Sequence, residues 1–244
     1  MVKRACNARR TRHVSFGTML PDTPSLPYLA TTWILPILLG ITLHEAAHAY
    51  VADLCGDDTP RRRGRLTLNP LAHIDPFGTI LLPGMLLLMN APFLFGYARP
   101  VPVNPHVLRR PTRDMMLIAA AGPASNLLQA IVALRLLQLF AEVGETSWLT
   151  DTLARAAALN VGLTVFNLLP IPPLDGAHIA IGLLPRRLSR SLAALMPHGM
   201  ALMIGLVVVL PSIGRALGVN IDIVGQAVSR LVRLTLDGLV WLGA

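Results

Sequence analysis

Charge is scarce in this chain: Asp, Glu, Lys and Arg make up 14% of its 244 residues, against 53% that are apolar. Aromatic residues are few, at 5%, and the only two cysteines are Cys6 and Cys55. Each scarcity excludes something. Two isolated cysteines form neither a metal-binding spacing nor a disulfide framework. Basic residues without interleaved aromatics argue against a nucleic-acid surface, although the net charge is +8. So little charge at a mean hydropathy of +0.58 excludes a soluble domain of this length. The composition predicts an all-α polytopic membrane protein in contact with a lipid bilayer and with no nucleic-acid partner. The arginines gather in connecting segments, as orientation in a membrane requires.

Residues 1–26 read as a basic, disordered tail. Positions 1–18 are polar and carry Lys3, Arg4, Arg9, Arg10 and Arg12. No small-residue cleavage site follows at a suitable distance, so no cleavable signal peptide is expected, and Met19 is an alternative start. The apolar runs are Tyr28–Leu54, Phe77–Phe95, Met115–Phe140, Leu153–Leu169, the short Ala177–Leu184, Gly199–Leu217 and the less apolar Ile221–Leu242. They predict a bundle of about five to six membrane helices. The core is 27–185, and 186–244 supplies one transmembrane helix and one that is amphipathic or transmembrane. Asp75-Pro76 is a cap-then-proline start for the second run. Segment 97–112 has four prolines and β-favouring Tyr97, Val101 and Val103, so it reads as a short strand or β-hairpin in a connecting loop. In the last run Gln226, Arg230, Arg233 and Asp237 recur at helical spacing. That polar stripe belongs at the membrane interface or against the bundle.

What is present is one ionisable cluster inside an apolar run. His44-Glu45-Ala46-Ala47-His48 falls within Tyr28–Leu54, which is almost wholly apolar until the cluster begins. Residues four apart share a helix face, so His44 and His48 can offer two imidazoles to one metal ion. Glu45 then lies beside the ion without ligating it, where it can take a proton from water. HExxH fixes three positions and arises by chance in many proteins. Three ionisable groups within about one turn are nevertheless costly in lipid, so they face a partner, a cavity or a metal.

A catalytic zinc site takes a third protein ligand. The candidates are Asp53, His73, Asp75, His106, Asp175 and His178. Asp175 is the strongest, because it follows an apolar run at a Pro-rich break where the helix must stop and the carboxylate can turn inward. By itself Asp175-Gly176 also reads as an ordinary turn. Asp53 reads as the polar end of the first helix. His73 and His106 read as loop histidines, and His178 as a neighbour of the site.

Three motifs in this order resemble the signatures of the site-2 protease family of intramembrane zinc metalloproteases. They are HEAAH, Gly122-Pro123-Ala124-Ser125-Asn126, and the stretch from Asn167 through Pro170, Pro172 and Pro173 to Asp175-Gly176. The stretches Gly64–Asp75-Pro76 and Gly96–Asn104 are similar to the compact prokaryotic branch, and no PDZ domain is recognisable. The resemblance covers 28–185. It implies one Zn2+ per chain held by His44, His48 and Asp175, with Glu45 activating the water. It also implies that Asn126 and Asn167 hold the substrate backbone or stabilise the developing oxyanion. Read without the resemblance, each Asn serves equally well as an interhelical hydrogen bond. Gly122 and Pro123 read as residues for close packing or a bend. The implied activity is hydrolysis of peptide bonds within or near transmembrane segments of membrane-protein substrates. A catalytically silent scaffold of the same fold and a metal transporter are the rival readings. Convergence of the candidate ligands at one depth disfavours the transporter, which needs ligands at successive depths.

The motifs meet only if the first helix ends, the third run begins and the fourth ends on one side. That side receives Arg61, Arg62, Arg63 and Arg65, then Arg99, Arg109, Arg110 and Arg113, then Arg186, Arg187 and Arg190. The opposite loop, 142–151, has Glu142, Glu145 and Asp151 and no basic residue. The positive-inside rule makes the first side cytoplasmic, for a multi-pass protein of the cell membrane whose site opens to the cytoplasm. Both flanks of Phe77–Phe95 then fall on one side, which predicts a re-entrant or tilted hairpin broken at Pro83, Gly84 and Pro92. The basic tail falls on the outer side, against the rule.

Overall fold

The computed structural model describes residues 25–81, Met85, 96–143 and 148–243. Its longest helices are α1 (Leu26–Leu54) and, after the short α2 (Thr59–Arg62), α3 (Pro111–Glu142). Then come α4 (Trp148–Asn167) and α5 (Asp175–Leu183). The run from 186 to 216 comprises α6 (Arg186–Leu195), a 3-10 turn, α7 (Gly199–Ile204), a wide π turn at Gly205–Val209, and α8 (Leu210–Ala216). The wide turn lies just before Pro211, which has no N–H with which to continue the regular ladder. The last helix is α9 (Ile223–Trp241), whose N-cap Asp222 accepts from Gly225 N–H at 2.8 Å.

Helix α1 packs against both α3 and α4, which lie along each other; α5 packs on α3, and α9 on α4. The first turns of α1 and α4 meet at one end. There Tyr28 Oη donates to Asp151 Oδ2 at 2.7 Å and Trp148 Nε1 donates to Thr31 Oγ1 at 3.0 Å. Nearby, the Arg155 guanidinium sits 5.4 Å from the centre of the Trp33 ring. Small residues fill the contacts: Ala49, Ala52, Ala130 and Ala157 are wholly buried. Large ones point outward, among them Ile34, Leu35 and Leu39 on α1 and Leu128, Val132 and Leu139 on α3. Small residues inside and bulky apolar ones outside is the arrangement of helices packed in lipid, where close backbone approach rather than water exclusion drives association.

Three helical runs are long and apolar enough to cross a membrane: Leu26–Leu54, Pro111–Ala141 and Arg186–Ala216. Among the described residues these account for three of the five to six membrane helices expected, and most of Phe77–Phe95 lies outside them. Helix α4, with Asp151 and Arg155, and α9, with Arg230, Arg233 and Asp237, are not among the three. The expected strand or hairpin at 97–112 does not form: no strand occurs among the described residues, and 96–104 is extended chain without a ladder. Prolines at 100, 102 and 105 remove the donors that a ladder would need. Single bonds tether the chain instead, Tyr97 N–H to Gly78 O at 3.0 Å and Arg99 N–H to His73 O at 2.9 Å. Positions 111 and 112 already belong to α3.

Of the run Phe77–Phe95, a π turn at Pro76–Leu81 is seen, with Asp75 Oδ1 capping Phe77 N–H at 3.0 Å and Gly78 N–H at 2.7 Å. Most of the rest, and residues 1–24 of the tail, lie outside the described residues. The stripe Gln226, Arg230, Arg233 and Asp237 faces away from the bundle, because Val224, Val228, Val232, Leu236 and Leu239 take the packed side of α9.

One buried carboxylate ties the connecting segments together on the side where α1 ends. Asp57 is fully buried, and its oxygens accept from Thr59 N–H at 3.0 Å and Asn104 N–H at 2.6 Å. Removing it leaves two backbone donors without their acceptor. Asp57→Ala is expected to destabilise the protein by about 2 kcal/mol, read as a lower unfolding midpoint in detergent. An unchanged midpoint would show that the tie contributes nothing.

Candidate metal centre

Two histidines one turn apart on α1 face α3, and α3 fixes how each ring is turned. His44 Nδ1 is 2.5 Å from Asn126 Oδ1, and His48 Nδ1 is 2.7 Å from the Ile118 carbonyl oxygen. Both partners are acceptors, so each Nδ1 carries the proton and donates. Each Nε2 therefore presents a bare lone pair. The two Nε2 atoms are 3.0 Å apart, and Asp175 Oδ2 lies 3.3 Å from His44 Nε2 and 3.4 Å from His48 Nε2.

Asp175 begins α5, and the chain reaches it through a tight reversal after α4. Ile171 N–H donates to Leu169 O at 2.8 Å and Leu174 N–H to Ile171 O at 2.9 Å. The reversal presses back on the end of α4 so closely that a Cβ on Gly176 would lie 2.3 Å from the carbonyl oxygens of Leu168 and Leu169. Only glycine fits there. Leu174 is buried against Met203 and Val207 of the 186–216 run, with Tyr97 and Ile171 around it. The C-terminal run thus holds the reversal that carries the carboxylate.

Three lone-pair donors converge with no proton among them, and Asp175 Oδ2 is buried with no hydrogen-bond partner. Such an arrangement is unfavourable unless a cation shares the lone pairs. Donors at about 2.0–2.2 Å from a tetrahedral ion lie about 3.3–3.6 Å apart, close to the spacings found here. Two imidazoles and a carboxylate are the donor set that zinc accepts in catalytic sites. The residues fit the metal.

Space for it depends on Gly122. A Cβ at this position would lie 2.3 Å from His48 Nε2 and 2.6 Å from His44 Cε1. Sequence reasoning assigns Gly122 to helix packing; the neighbours it accommodates are the two ligand candidates. Glu45 is half-buried on the same turn of α1, and its charge acts on His48 and on Arg65. Arg65 is itself buried, and its Nη1 donates to Ala72 O. Burial, together with the neighbouring Arg99, holds the Arg65 guanidinium below its ordinary range, while Glu45 opposes that shift.

Asn126 makes the interhelical bonds that are one of its two readings. It is fully buried, and its Nδ2 donates to Gly40 O at 3.1 Å and Asn160 Oδ1 at 2.6 Å while its Oδ1 accepts from His44. Its amide hydrogens are both engaged, and its role in the fold is to orient His44. Asn167 is half-buried at the end of α4, with Nδ2 donating to Leu163 O at 3.0 Å. The remaining candidates are not brought to the site as ligands. Asp53 makes a two-pronged pair with Arg61, at 2.6 and 2.9 Å. His73 is buried with Nε2 3.0 Å from Thr67 O, Asp75 caps the π turn, and His106 is exposed. His178 is half-buried one turn beyond Asp175 and feels its charge.

Sequence reasoning missed Asn160, the Ile118 carbonyl and the closeness of Gly122. Asn160 could have been found as an amide in the apolar middle of α4. A backbone carbonyl leaves no sequence signal.

Comparison with known proteins finds zinc metalloprotease relatives. The family model of peptidase family M50 matches residues 141–211, a span that includes Asp175 but not HEAAH. The "Putative zinc metalloprotease YwhC" of Bacillus subtilis is 43% identical over 166 residues, which are 66% of this chain and 70% of that protein. The "Putative zinc metalloprotease Rip2" of Mycolicibacterium smegmatis is 34% identical over 139 residues, 57% of this chain and 52% of that protein. Rip2 of Mycobacterium tuberculosis is 34% identical over 140 residues, with the same coverage of 57% and 52%. The chain therefore spans about half the length of the Rip2 proteins. No solved structure matches it.

The orienting bonds and the gap at Gly122 have measurable consequences. Asn126→Ala is expected to weaken zinc binding about 10–100-fold, read by competition with a chromogenic chelator. Gly122→Ala, which drives a methyl group into the rings, is expected to abolish binding with the helical content unchanged by circular dichroism. Wild-type affinity in both variants would remove α3 from the metal centre.

Proposed function

The chain belongs to peptidase family M50, the site-2 protease family, and from that premise we propose that it hydrolyses peptide bonds within or near transmembrane segments of membrane-protein substrates. The observation that carries the reading is the meeting of His44, His48 and Asp175 within a bundle of apolar helices. One zinc per chain would be held by His44 Nε2, His48 Nε2 and Asp175 Oδ2. When bound, it supplies a Lewis acid for the scissile carbonyl and lowers the pKa of water towards about 7.

The protein's own groups do the rest. Glu45 accepts the proton of the attacking water on its carboxylate and returns it to the leaving amine. Its half-buried position beside His48 supports that role, because a general base must lie within reach of the site without taking a ligand position. Asn126 and the Ile118 carbonyl hold the two imidazoles as Nε2 donors throughout the cycle. Asn167, where α4 gives way to the Pro-rich reversal, is placed to bond the peptide groups of an unwound substrate. The substrate helix unwinds before cleavage, since a helical amide is internally bonded and shielded; helix-breaking residues in the substrate favour this. The ligands sit at the end of the bundle that carries Arg61, Arg62, Arg63 and Arg65, and that basic flank supports an opening towards the cytoplasmic side of the cell membrane.

Zinc analysis and cleavage of a generic transmembrane substrate by detergent-purified protein test this reading, with wild type and Glu45→Gln side by side. We expect about one zinc per chain in both. Cleavage by the variant is expected to fall about 10²–10⁴-fold. Cleavage by the variant at the wild-type rate would take the proton-transfer role from Glu45, and absence of zinc from both would remove the hydrolase reading altogether.

A further inference from the structure

The outward stripe of α9 is not explained by the proposed protease. Helix α9 runs antiparallel to α4 along its length: Val224 packs near Phe166 and Leu169, Val228 beside Val161 and Val165, and Leu239 near Leu153 and Ala157. Arg230 and Arg233 fall between those contacts, level with the middle of α4. Helix α4 lies against α1 and α3, two of the helices able to span a membrane. At about 1.5 Å per residue its 20 residues match the roughly 30 Å of a hydrocarbon core. Arg230 and Arg233 therefore leave α9 level with the middle of the bundle, and both are exposed, as are Gln226 and Asp237.

Arginine at that depth is costly unless something pairs with it. Arg233 and Asp237 are one turn apart, yet no ion pair joins them among the described residues, and Arg230 has none either. The rest of the chain offers little: the segments outside the described residues contain only Asp22 and Glu145 as acids, and 82–95 contains none. A parallel second copy, the arrangement that membrane topology imposes on a two-fold pair, would set arginine against arginine. The stripe carries two positive charges and one negative.

We propose that this face of α9 is a docking surface for a transmembrane helix of another membrane protein, one that carries a carboxylate at mid-span. The carboxylate accepts bonds from Arg230 and Arg233, and Gln226 and Asp237 extend a polar seam to either side. The proposal rests on the membrane reading of the bundle but not on proteolysis.

The test uses the full-length zinc-loaded protein in nanodiscs of zwitterionic lipid, with energy transfer to synthetic leucine-rich transmembrane peptides bearing Glu, Gln or Leu at the central position. The Glu peptide is expected to associate at least about tenfold more tightly than the Leu peptide, a difference of about 1.4 kcal/mol. Arg230→Leu/Arg233→Leu should abolish the preference while zinc content stays at the wild-type level. Arg230→Glu/Arg233→Glu should transfer the preference to a peptide with a central Lys, which guards against a variant that merely misfolds. Equal association of the Glu and Leu peptides overturns the proposal. So does self-association of the protein that the double Leu variant loses, since the stripe then belongs to a second copy. Loss of the Glu preference when anionic lipid is added would place the stripe at headgroup level rather than mid-depth and also overturn the proposal.

Discussion

One buried amide fixes the geometry on which the rest of the centre depends. Asn126 of α3 accepts from His44 on α1 and donates both to Gly40 O on α1 and to Asn160 on α4. Three helices therefore share a single side chain, and its hydrogen-bond capacity decides the tautomer of the first ligand. In an apolar bundle an unpaired amide is expensive, so its bonds are made together or the helices shift together. The continuation is of the same kind: Asn160 donates to Ala156 O at 2.9 Å, and Thr164 Oγ1 lies 2.8 Å from Asn160 O and 3.2 Å from Pro123 O. The polar atoms inside the bundle form a chain that leads to the imidazoles.

The third donor arrives by a different route. His44 and His48 are placed by helix periodicity, which needs only a continuous α1. Asp175 is placed by a reversal that ends α4 and starts α5, and this depends on Gly176 for space and on the C-terminal run for support. A centre assembled from two rigid positions and one loop-borne position is sensitive to anything that moves the loop. Leu174, packed against Met203 and Val207, links that loop to residues about 30 positions further along the chain. The segment 186–244, set apart from the core by composition alone, is thereby part of what holds the carboxylate in place.

Much of this was legible in the sequence, and what was not has physical causes. The i, i+4 histidines, the apolar runs among the described residues and the Pro-rich break before Asp175 each reflect a local rule, and each stands in the structure close to where the residues place it. Helix counting is hardest where charge and apolar length conflict. Helix α4 contains Asp151 and Arg155, yet its charges are absorbed by Tyr28 and Trp33 of α1, a tertiary fact that no run of residues reveals. The expected hairpin failed because β-favouring side chains at Tyr97, Val101 and Val103 were weighed above the missing N–H groups of the prolines among them. Asn126 is open to two readings in the sequence for a subtler reason. Its residue type suits a substrate backbone and a ligand imidazole equally, and only its burial separates the two.

The placement of charge unifies the two ends of the argument. Among the described residues, buried atoms such as Gln129 Nε2 and Arg155 Nη2 also lack a hydrogen-bond partner. Only at Asp175 does the unpartnered atom meet the ring nitrogens of two histidines, and that convergence identifies the site. At the far end Asp151 is bonded to Tyr28, and at the connecting segments Asp57 and Asp53 are bonded to backbone or arginine. On the outer surface the same logic applies with lipid in place of protein as the neighbour. Leu, Ile and Val need no partner there and are abundant, whereas Arg230, Arg233 and Asp237 need one. Clusters of polar groups that the fold leaves without partners therefore mark positions where something else binds. Among the described residues one such cluster faces inward, composed of donors to a cation, and one faces outward, composed mainly of cations.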